Sequence, residues 1–199
     1  MIPIFVLQCR KLVAFCWLLA GVATCAVAQN KVVQFPAGLK WEVMHYASFN
    51  YQPDEGTLDP KLKTVAYTLW KSKLDEMKLA AEKKKKVPHP AFVLMSSPYR
   101  GNYIFSMISS AVENCVLPGN GSGMVDMYEV CPMSIFQVNA TPSMVKEIPN
   151  MCFLHLTDPE NPAAKNHTEF SFNEANKTAY FRVIQHGKEA PDCNRIVRL

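Results

Sequence analysis

DPKLKTVAYTLWKSKLDEMKLAAEKKKKVPHP, residues 59–90, is the stretch that decides the fold. Asp59 is a good helix N-cap, and Pro60 falls at the first helical position, where its missing N–H is no loss. Leu62, Val65, Ala66, Leu69, Trp70, Leu74, Met77 and Ala81 then recur at three- and four-residue spacing, the period of a helix with one apolar face. Lys73 interrupts that stripe and has to carry its ammonium out to water along its own stem. Lys83, Lys84, Lys85 and Lys86 stand at the end where cations favour the helix dipole, and Val87-Pro88-His89-Pro90 ends the element.

After residue 90 the pattern changes from helix to strand. AFVLMS (91–96) lies between prolines and is long enough for a strand but too short for a helix. YIFSMIS (103–109), residues 124–138 with a break at Pro132, and MCFLHL (151–156) also suit strands, whereas residues 139–150, with two prolines, suit a loop. The clearest hairpin spans residues 168–184. Thr168, Phe170 and Phe172 alternate with polar residues, residues 173–177 turn the chain, and residues 180–184 return. Residues 195–199 add an edge strand, and the aromatic run LKWEVMHYASF (39–49) predicts a strand ahead of the helix. The expected fold is α+β: one long amphipathic helix packed on an antiparallel β-sheet, with two disulfides. In element order this is similar to cystatins, in which a helix precedes antiparallel strands and two disulfides lie in the later half. The inhibitory Q-x-V-x-G stretch of that family is absent, so the likeness is one of layout.

Residues 1–28 predict a secretory signal peptide. Arg10 and Lys11 give the positive start, residues 12–23 the apolar core, and Ala26-Val27-Ala28 the small-residue cleavage motif. The apolar run falls short of the roughly 20 residues that span a bilayer. Residues 29–199 are then expected to form a single secreted α+β domain. Hydrophobic content of 49% excludes general disorder. Cleavage removes Cys9, Cys16 and Cys25 and leaves Cys115, Cys131, Cys152 and Cys193, an even set in an oxidising compartment. Three pairings are open, and short-loop closure favours the sequential one. No C-x-x-C or C-x-x-H spacing supports a metal site, and no cofactor is expected.

Four N-x-S/T sequons, at Asn120, Asn139, Asn166 and Asn176, all fall in or beside expected turns and are candidate glycan sites in a eukaryotic host. Net charge is +4, but nine lysines lie between residues 61 and 86 against Asp75, Glu76 and Glu82. Lys83, Lys84, Lys85 and Lys86 are the candidate polyanion contact, for a sulfated glycan or an anionic surface. The patch has no interleaved aromatics, which disfavours nucleic acid. Tyr99, Arg100 and Tyr103 form the candidate partner contact, since Tyr and Arg are typical interface anchors. Trp41, Tyr46, Phe49 and Tyr51 are expected mostly in the core. No G-x-S-x-G, H-E-x-x-H or P-loop is present, and His45, His89, His155, His167 and His186 are scattered. The resulting expectation is an extracellular, disulfide-bonded, N-glycosylated, non-catalytic binding protein with a protein partner and no membrane span. A bacterial periplasmic component of an envelope or secretion assembly is the first alternative. A secreted serine hydrolase with a triad built across strands, such as one using His155 and Asp158, is the second.

Overall fold

A single extended run near the start of the described chain serves two different sheets. In the computed structural model, β1 (Glu42–Val43) pairs antiparallel with β7 (His167–Asn173). Met44 then donates its N–H to the Thr168 carbonyl at 2.8 Å, and β2 (His45–Phe49) pairs antiparallel with β3 (Ala91–Met95). The structure describes residues 33–50, 58–97, 102–110, 112, 115–116, 128–138, 141–154 and 166–199. The predicted leader (1–28), most of the loop at 50–56, and the 118–123 turn lie outside the described residues.

The inner sheet has the order β2-β3-β4-β5-β6, with β4 at Tyr103–Ser109, β5 at Tyr128–Gln137 and β6 at Ser143–Leu154. The outer sheet has the order β1-β7-β8-β10, with β8 at Thr178–Gln185 and β10 at Arg195–Arg198. β9 (Lys188–Glu189) also pairs with β8. A helix, α1 (Pro60–Lys83), of 24 residues connects β2 to β3. Val32–Leu199 forms one compact unit by its contacts.

The expected single sheet is therefore two antiparallel sheets, and the fold is more sheet-dominated than foreseen. The physical reason lies in the inner strands, which are apolar on both faces. On β4, Ile104 and Ile108 face Ala66, Trp70, Leu74 and Met77 of α1, while Phe105 and Met107 join the core shared with the outer sheet. There the Phe105 ring meets Phe170, Phe172 and Phe181 at centroid distances of 6.4, 5.7 and 5.4 Å. A helix covers only one face of a sheet, so the second apolar face requires a second layer.

One polar link crosses the helix–sheet core. Trp70 Nε1 donates to Ser106 Oγ at 2.9 Å, and that hydroxyl donates to the Leu94 carbonyl at 2.9 Å, so the indole N–H is satisfied at full burial.

Residues 143–150, expected as a loop, are the first part of β6. Pro149 fits because the β5–β6 register shifts between Cys131 and Met133, opposite Pro132, and a bulge tolerates residues that give no ladder hydrogen bond. Among the described residues no helix is long and apolar enough to cross a membrane.

Candidate functional site

The C-terminus of α1 is closed by the chain's own backbone. Lys84 N–H and Lys86 N–H both reach the Ala81 carbonyl at 3.0 Å, and Lys85 N–H reaches the Glu82 carbonyl at 3.0 Å. This is the Schellman arrangement, which needs a left-handed residue at the position after the cap. Lys85 takes it, at φ +51°. Glycine is the usual occupant, because a side chain there costs on the order of 1 kcal/mol. With the Ala81 and Glu82 carbonyls satisfied by backbone, the four side chains at 83–86 project from the turn, and all four residues are exposed.

The neighbouring charges divide into used and unused. Lys71 pairs with Asp75 one turn along the helix. That hydrogen bond holds the Asp75 carboxyl below its ordinary range and the Lys71 ammonium above its own. Lys63 lies over the Phe49 ring at 5.6 Å. Lys78 and the four terminal lysines are exposed, as are Glu76 and Glu82.

Beside the lysines is a cavity of about 220 Å³. Among the described residues Met77, Ala80, Ala81, Val87 and Val112 line it together with Lys84, Lys86 and His89, so an apolar floor meets two lysines and a histidine. Val87 is 83% exposed and Leu79 is 56% exposed, on either side of the lysine run.

The four cysteines pair sequentially, Cys115–Cys131 and Cys152–Cys193. The first joins a short segment, bridged at Val116 to Val130, onto β5. The second ties β6 of the inner sheet to the 3-10 turn Pro191–Cys193 leading into β10 of the outer sheet. The Glu129 carboxylate lies close to both sulfurs of the first bridge and accepts from Ser109 Oγ at 2.5 Å. Both thiols there are consumed in the S–S bond, so the cluster presents no thiolate.

Asn166, placed beside an expected turn as a candidate glycan site, is 2% exposed and accepts the His186 N–H through Oδ1 at 2.7 Å. The alternation used to place it beside a turn says nothing of the β8–β9 turn, at residues 186–187, that folds back over it. Thr168 of the same sequon is 3% exposed. Asn176, by contrast, stands exposed in the β7–β8 turn. Asn120 and Asn139 lie outside the described residues, as do Tyr99, Arg100, Tyr51, His155 and Asp158. Tyr103 is half-buried, with its ring 6.1 Å from Phe172, in the packing between the sheets.

One constellation was not foreseen. On β7 and β8, Glu169 sits opposite Arg182, whose Nε donates to it at 2.5 Å, and His167 Nε2 lies 2.9 Å from the other carboxylate oxygen. The Arg182 guanidinium stacks over Trp41 at 4.2 Å, and Trp41 meets Phe35 edge-on at 5.0 Å. Pairing the hairpin strands on paper would have set Glu169 against Arg182, but nothing in the sequence brings Trp41 there. The group pins residues 35–41 across the outer sheet through charge-assisted and ring contacts. Comparison of the chain with protein-family models, with curated proteins and with solved structures finds no match.

Proposed function

We propose that this chain is an exported, disulfide-stapled binding protein that does no chemistry of its own and attaches to polyanionic partners through the end of α1. The observation that carries the reading is the helix terminus itself. Four consecutive lysines are exposed there, and one of them occupies the left-handed position that glycine fills at lower cost. The two disulfides are compatible with an extracellular or periplasmic setting, where such bonds persist. Of the two sequons among the described residues, Asn176 in the β7–β8 turn is the one that presents its side chain for N-glycosylation.

Retention on immobilised heparin tests the reading. The oxidised protein should bind at low salt and elute as salt rises, because clustered lysines act through screened charge. Replacing all four lysines at 83–86 with glutamine should abolish retention and leave the melting temperature within a few degrees, since exposed substitutions alter stability little. Unchanged retention of that variant would overturn the proposal.

A further inference from the structure

We propose that the polyanion this helix end meets is the surface of an anionic lipid bilayer, with the lysines on the headgroups and Val87 and Leu79 entering the interface. The inference rests on the polyanion reading and narrows it. A sulfated glycan offers charge but no apolar phase, so it would leave the two exposed apolar side chains in water. A bilayer surface offers both together, and runs of four to eight basic residues beside apolar side chains suit it. Val87, at 83%, is the most exposed large hydrophobic residue among those described.

The geometry makes one surface of these groups. The concave patch that holds Leu79 and Lys83 shares Ala80 and Lys84 with the cavity that holds Lys86 and Val87. The cavity, at about 220 Å³, falls below the range of small-molecule sites, which begins near 300 Å³. Its size suits a fragment of a larger assembly, such as a headgroup or the first methylenes of a chain. Pro88 and Pro90 stiffen the segment that carries Val87, so little order is lost on docking. Asp75 and Glu76 line the Leu79 side, the former already paired with Lys71, whereas among the described residues no carboxylate lines the Val87 side. The docked face is therefore the one formed by Lys84, Lys86, Val87 and His89, with Leu79 at its margin.

Co-sedimentation of the oxidised, exported protein with vesicles tests this, using phosphatidylcholine alone and phosphatidylcholine with 30% phosphatidylglycerol. Binding is expected only to the second. Glutamine at all four positions 83–86 should weaken it on the order of 100-fold or more, from about fivefold per lysine. The double substitution Leu79→Ser and Val87→Ser should weaken vesicle binding about tenfold while heparin elution stays unchanged. Heparin retention without vesicle binding would overturn the lipid assignment and leave the polyanion reading standing. Vesicle binding indifferent to the serine pair would likewise overturn insertion. Loss of both heparin and vesicle binding would remove both readings.

Discussion

Lys85 and Ser106 show how much single positions carry in this chain. Lys85 holds the helix-ending turn at φ +51°, where its Cβ is crowded by its own backbone. Lys85→Gly is expected to raise stability by about 0.5–1 kcal/mol in urea unfolding, with Lys85→Ala giving no comparable gain. The glycine variant should also weaken polyanion binding by the share of one lysine, so stability and binding move in opposite directions. Ser106 is the acceptor for the buried Trp70 indole. Ser106→Ala leaves that N–H without a partner and is expected to cost about 1–3 kcal/mol. Adding Trp70→Phe, which removes the donor, should cost less than the two single losses combined, and a double-mutant cycle measures the difference.

Elements differ in how openly the sequence announces them. The β7–β8 hairpin was legible because Thr168, Phe170 and Phe172 alternate against polar neighbours and the turn follows at once. The helix ends were legible because Asp59 and the lysine run carry cap chemistry; Asp59 indeed accepts from the Lys61 and Leu62 N–H groups at 2.8 and 2.9 Å. The first part of β6 was hidden because Pro149 and Asn150 mark a loop in isolation, and only a partner strand with its own proline at the same level converts them into a bulge. The two-sheet arrangement was partly legible in AFVLM and YIFSMIS, whose unbroken apolar runs need cover on both faces, but which strands supply the cover depends on long-range pairing. The sequons show the same limit, since burial is decided by a neighbouring turn. In a glycosylating host the folded protein is expected to carry a glycan at Asn176 and none at Asn166. Peptide mapping after N-glycosidase treatment checks this: Asn176→Gln should remove a glycan, and Asn166→Gln should leave the glycan count unchanged.

The described residues beyond the start of the chain form three layers, helix on inner sheet on outer sheet, and Cys152–Cys193 ties the two sheets. That bond closes a separation of 41 residues, longer than the 16 of Cys115–Cys131. In the chain-entropy account the longer loop contributes about 4 kcal/mol and the shorter about 3 kcal/mol. Replacing Cys152 and Cys193 with alanine should therefore lower the unfolding midpoint more than replacing Cys115 and Cys131. Near-ultraviolet circular dichroism would report loosened packing between the layers, and equal losses would argue against the ranking. The shared run of residues 42–49 adds a consequence for the order of assembly. β2 finds β3 soon after α1, and the inner sheet can grow strand by strand as the chain emerges from its N-terminal side. β1, a few residues away on the same run, must wait for β7. Through that interval the Phe105 and Met107 face of the inner sheet stands uncovered, so a nascent chain stalled before residue 167 is the form most in need of a chaperone.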